Sequence, residues 1–136
     1  MKKYILNLIN NHIKQLEYIG GLVGWALVKK NGILIKSKLP REINDKIFGA
    51  MSATIFEGID TAIQSLNYEQ EDKQTGTDSL SNITIELDDS QVVMMSVTEE
   101  IIIVVALQLE VNLGLILIEL EEIIKIVNEI ISESAN

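Results

Sequence analysis

The sequence predicts an α/β/α domain: a five-stranded antiparallel sheet in the order 2-1-5-4-3, with helices on both faces. Three observations carry this. First, Leu22 to Val28 and Ile101 to Leu107 are apolar on both faces, the pattern of strands buried inside a sheet. Second, turn signals join the first strand to the second and the third to the fourth and fifth, and hairpins make neighbours. Third, three longer segments carry apolar residues at helical spacing. Setting the two buried strands side by side leaves the second and third strands at the edges. The middle helix then crosses one face, and the two terminal helices cover the other.

Residues 3–19 place Ile5, Leu8, Ile9, Leu16 and Ile19 on one helical face, and Gly20-Gly21 stops that helix. The first strand follows. Asn31-Gly32 is a strong hairpin signal, because both residues tolerate φ > 0. Ile33 to Lys38 is the second strand, and Pro40 closes it. Residues 42–66 have helical period. Residues 67–80 (NYEQEDKQTGTDSL) are polar and aperiodic, and are expected to form a mobile loop. Three strands then meander through 82–87, 91–97 and 101–107, turning at Asp88-Asp89-Ser90 and Thr98-Glu99-Glu100. Asn112 caps a last helix running to about Ser132. Its stripe of Leu113, Ile116, Leu117, Leu120, Ile123, Ile124, Val127 and Ile131 faces the core.

Composition narrows the function. The 136 residues, 47% of them hydrophobic, suit one domain spanning the chain, and no linker composition divides it. The chain has no cysteine, which excludes disulfides, thiolate metal sites and a thiol nucleophile and suits a reducing, cytoplasmic setting. Apolar runs fall far short of the roughly 20 residues that span a bilayer, so no membrane insertion is expected. A net charge of −9 with scattered lysines disfavours nucleic acid.

No set of side chains converges on chemistry. His12 is the only histidine and has no Ser/Asp partner set around it, so it reads as structural. Carboxylates at Glu69, Glu71 and Asp72, at Asp88-Asp89, at Glu99-Glu100 and at Glu119, Glu121 and Glu122 fall in turns or on a solvated helix face. The Asp-Asp-Ser spacing does not match an EF-hand loop. No Gly-x-x-x-x-Gly-Lys loop occurs, and Gly20-Gly21-x-x-Gly24 leads into a strand rather than a helix. Arg41 is the only arginine and reads as ordinary surface beside Pro40, with an arginine finger as the lesser alternative. The expectation is a protein without enzymatic activity, cofactor or metal.

The middle helix points instead to a partner. Ile43, Ile47, Ala50, Met51, Thr54, Ile55, Gly58, Ile59, Ala62 and Leu66 make a broad apolar or neutral arc, which Phe48, Ser52, Phe56 and Ile63 widen further. Packing on one sheet needs a stripe of only ~100°. The surplus, assigned to Gly49, Ser52 and Ala53 beside Phe56, is expected to meet a second chain, together with Ile59 and Ile63. The third strand, Asn-Ile-Thr-Ile-Glu-Leu, is an edge without lysine or proline, so Ile83 and Ile85 join the same expected interface.

The order and spacing of several motifs resemble the Roadblock/dynein light chain family. These are Gly21-Leu22-Val23-Gly24 opening the first hairpin, its turn at Asn31-Gly32, and a second strand ending near Ser37. Gly49-Ala50-Met51-Ser52-Ala53 in the middle helix and Asn112-Leu113-Gly114 before the last helix complete the set. The resemblance covers roughly residues 5–132. It implies a profilin-like fold and a dimer, with itself or a related Roadblock chain, built from the middle helix and third strand. It also implies a non-catalytic role: scaffolding or regulating a small Ras-like GTPase, or docking on a motor complex. A small-ligand sensory domain of profilin-like or PAS-like type is the alternative, and it would need a cavity with converging polar groups.

Overall fold

The structure is a computed structural model and describes residues 3–69 and 80–135. The elements run α1 (Lys3–Ile19), β1 (Leu22–Lys29), β2 (Leu34–Lys38), α2 (Asp45–Glu69), β3 (Asn82–Glu86), β4 (Ser90–Ser96), β5 (Ile101–Gln108) and α3 (Leu113–Ala135). All five strands pair antiparallel in the order β2-β1-β5-β4-β3. This is the expected arrangement, and its cause is visible in β5, where Ile101 to Leu107 is buried without a break.

Alternation along the central strands feeds two cores. Trp25, Leu27, Ile103 and Val105 point to one face, where Ile5, Ile9, Ile13 and Leu16 of α1 meet Ile116, Leu120, Ile123 and Val127 of α3. Ala26, Val28, Ile102 and Val104 point to the other, under Ala53 and Phe56 of α2. Trp25 is core, as its strand required. Side-chain hydrogen bonds tie helices to the sheet edges and ends. Lys38 Nζ on β2 donates to Glu17 Oε1 on α1 at 3.0 Å, and Asn128 Nδ2 on α3 donates to the Val97 carbonyl at 3.2 Å.

The ends of the elements follow local chemistry. Gly20 and Gly21 stop α1 with φ of 83° and 85°. Asn44 and Asn112 cap α2 and α3, accepting from the Ile47 and Leu115 N–H groups at 3.1 and 3.2 Å. The first hairpin departs from expectation. Only Gly32 has φ > 0 (98°), while Asn31 stays in the ordinary region. Gly32 N–H donates to the Lys29 carbonyl at 2.8 Å and Lys29 N–H to the Ile33 carbonyl at 2.9 Å. That is a three-residue loop with a glycine bulge rather than a two-residue turn. Asn31 contributes its side chain instead, accepting from Ile33 N–H at 3.2 Å.

The middle helix starts three residues later than predicted and runs on through Glu69, into the stretch expected to be loop. The rest of that expected loop, residues 70–79, lies outside the described residues.

Candidate interaction surface

The helix α2 has two apolar faces, and the structure assigns them the other way round from the sequence expectation. Gly49, Ser52, Ala53 and Phe56 are buried against the chain's own sheet, Phe56 completely. A Cβ on Gly49 would lie 3.3 Å from Val28 Cγ2 and 3.4 Å from Leu34 Cδ1, so the helix approaches closely here. The small residues let α2 settle onto the sheet, and the Phe56 ring fills the space left between them. Ile63, Ile83 and Ile85 are half-buried, and the last two pack against this same inner cluster. Of the residues expected at an intermolecular contact, Ile59 alone is exposed.

Five large aliphatic and thioether side chains lie on the other face. Ile47 (60% exposed), Met51 (59%), Ile55, Ile59 and Leu66 (63%) form a stripe at helical spacing along the outer face of α2. Ala50, Thr54, Gly58 and Ala62 fill its intervals and are exposed too. The hydroxyls near it do not call for water. Thr54 Oγ1 donates back to the Ala50 carbonyl at 2.9 Å, and Ser65 Oγ to the Thr61 carbonyl at 3.0 Å. An uncovered stripe of this extent, about five turns of one helix, marks a contact with another molecule.

Beside the stripe lies an open groove of about 480 Å³, lined by Lys29, Lys30, Asn31, Glu57, Asp60, Glu99 and Glu100. Lys30 Nζ sits 5.5 Å from the centre of the Phe56 ring, and Asp60 Oδ1 accepts from the Leu80 N–H at 3.3 Å. Its lining residues are all charged or polar, unlike the mostly apolar lining of small-molecule pockets. The remaining sequence candidates are dispersed. His12 is half-buried in α1, Arg41 is exposed just past β2, and Asp88-Asp89 and Glu99-Glu100 are exposed in separate turns. Among the described residues, no three His, Cys, Asp or Glu side chains are grouped to hold a metal ion. No helix among them is long and apolar enough to cross a membrane.

The family model described as Roadblock/LC7 domain matches residues 8–107. The chain belongs to the Roadblock/LC7 family. Its match runs from α1 through β5, so it includes α2 and both sheet edges. Solved structures carry the same fold. Myxococcus xanthus MglB aligns with a TM-score of 0.71 at 20% identity, over 96% of this chain and 97% of that one. The gliding protein MglB of Thermus thermophilus aligns with a TM-score of 0.73 at 13% identity, over 98% and 95%. A Roadblock/LC7 domain from Streptomyces avermitilis aligns with a TM-score of 0.69 at 12% identity, over 92% and 95%. An uncharacterized protein of Methanocaldococcus jannaschii, MJ0714, is 27% identical over 115 residues, which span 85% of this chain and 89% of that protein.

Proposed function

We propose that this Roadblock/LC7 chain is a non-catalytic dimerisation module that scaffolds or regulates a small Ras-like GTPase. The single observation that carries the reading is the uncovered stripe Ile47, Met51, Ile55, Ile59 and Leu66 on α2, in a family whose resemblance implies dimers built from this helix. The partner at this face is a second copy of the chain or a related Roadblock chain. The strand β3 lies at the sheet edge without lysine or proline, open to pairing with its counterpart.

Magnitudes say that both elements are needed. Covering five partly exposed side chains of this size on each of two chains contributes on the order of 10 kcal/mol. Bringing two chains together costs about 4–15 kcal/mol in lost freedom, which offsets most of that gain, so the stripe alone gives a weak pair. Backbone pairing at β3 supplies the remainder. The two-fold axis would then set the α2 helices side by side, and a GTPase would dock on the composite surface they form.

Sedimentation velocity tests the pairing. The unchanged chain is expected to sediment as a dimer at micromolar concentration. Met51→Glu, which puts a charge in the middle of the stripe without touching the inner core, is expected to sediment as a monomer with an unchanged far-UV spectrum. A monomer from the unchanged chain at those concentrations would remove the proposal.

A further inference from the structure

Basic residues are concentrated in one stretch of this acidic chain. Six of its 11 lysines and arginines, Lys29, Lys30, Lys36, Lys38, Arg41 and Lys46, lie between positions 29 and 46, where Glu42 and Asp45 are the only acids. Six less two gives the stretch a formal charge of +4, in a chain of −9. The fold lays it along one edge of the sheet, through the hairpin tip, β2 and the first turn of α2.

The contributions along that edge differ. Lys29 and Lys30 turn into the groove with Glu57, Asp60, Glu99 and Glu100, and are balanced there. Lys36 and Lys38 stand on β2, both exposed. Their register partners on β1 are Leu27 and Trp25, so both rise on the face that carries α1, two residues apart. Lys38 meets Glu17 at 3.0 Å, whereas Lys36 has no ion pair among the described residues. Arg41 and Lys46 are exposed past the end of the strand. Of the two local acids, Asp45 accepts a hydrogen bond from Ser37 Oγ at 3.0 Å.

The backbone of β2 is open on its outer side, since β1 is its only neighbour in the sheet. A free edge accepts an extended chain as an added strand. Lysines on such an edge repel a second copy of the same strand, because two-fold pairing sets lysine near lysine. The same lysines attract a strand that carries carboxylates at alternate positions, which would rise on their face of the sheet. What blocks self-pairing therefore selects a different partner.

We propose that the outer edge of β2 is a docking site for an extended acidic segment of a partner protein. The segment adds as a sixth strand, with carboxylates at alternate positions beside Lys36 and Lys38. Glu17 does not stand in the way. An exposed ion pair contributes little, and a partner carboxylate can share or replace it at Lys38. The site is at the opposite edge of the sheet from β3, so it does not compete with strand pairing there. Duplex nucleic acid or an anionic membrane would need a broader basic surface, and Glu119, Glu121, Glu122 and Glu129 of α3 make the adjoining layer acidic.

The test is amide NMR on the full chain with a synthetic nine-residue peptide that alternates glutamate and valine. A peptide of the same composition with its glutamates contiguous is the control. Shifts are expected to concentrate on Leu34–Lys38, with the control binding on the order of tenfold more weakly. Binding should fall as salt rises from 50 to 300 mM. Lys36→Glu and the milder Lys36→Gln should each weaken it, by about tenfold for the reversal, while Lys125→Glu on α3 leaves it unchanged. Equal affinity for the two peptides, shifts centred on β3, or no effect of either Lys36 variant would overturn the proposal. So would tighter binding, through Lys36, of a 20-base-pair DNA duplex or of phosphatidylserine vesicles.

Discussion

Phe56 and Met51 lie five residues apart on one helix and have opposite environments. The Phe56 ring is wholly buried between α2 and the sheet, and Met51 is mostly in water. Glutamate at Phe56 would therefore be a folding lesion rather than a probe of association, because it sets a charge in the chain's own core. Phe56→Ala is expected to lower stability by ~3–5 kcal/mol, read as a lower midpoint in urea with the slope unchanged. A loss under ~1 kcal/mol would mean that the inner core closes without the ring. Periodicity could not tell the two faces apart, because α2 is apolar or neutral around most of its circumference. What decided was size. Gly49, Ser52 and Ala53 allow the close approach that Met51 and Ile55 would block. Gln91 was not legible at all. It is buried, and its Nε2 donates to the Gln108 and Leu109 carbonyls at 3.4 and 3.5 Å, an arrangement known only once β4 and β5 are side by side.

At the scale of elements the sequence was more readable, because strands and caps depend on local pattern. The uninterrupted apolar runs of β1 and β5 put both inside the sheet, and hairpin adjacency then left one order for the rest. The Asn112 cap was equally plain, a side-chain acceptor just before an apolar helix, and it bonds the Leu115 N–H. Replacing it tests how much the start of α3 depends on that bond. Asn112→Ala should cost ~1 kcal/mol in thermal or chemical unfolding, and Asn112→Asp much less, because aspartate caps as well. Equal losses from both would assign the effect to something other than the cap. The end of α2 was not legible, because Asn67 to Glu69 are polar and the apolar pattern had run out, yet the helix continues through them. Periodicity reports burial rather than helicity, and a last turn of polar residues leaves no trace in it.

The whole molecule presents a sheet with two unlike edges, a lysine-bearing β2 and a β3 without lysine, and an uncovered outer stripe on α2. If two chains join at β3 and α2, their paired helices make one broad surface that neither chain has alone. A GTPase held there could be stimulated in two ways. The surface could order its switch loops, or a side chain could reach into the nucleotide site as an arginine finger. Only Arg41 could serve as that finger, since the chain has no other arginine. It is exposed between β2 and α2, among Pro40, Glu42 and Ile43, with no ion pair to hold it among the described residues. Loop ordering is therefore the expected mechanism under the proposed function. Single-turnover hydrolysis by the cognate GTPase distinguishes the cases. Arg41→Ala should leave stimulation within about threefold, whereas loss of a true finger costs on the order of 10³-fold or more. Met51→Glu, as a monomer, should abolish it. A thousandfold loss from Arg41→Ala in an intact dimer would establish the finger, and full stimulation by monomeric Met51→Glu would rule out the composite surface. A GTPase that binds the dimer with no change in rate would leave scaffolding as the function, since the surface would then hold its partner without favouring the transition state.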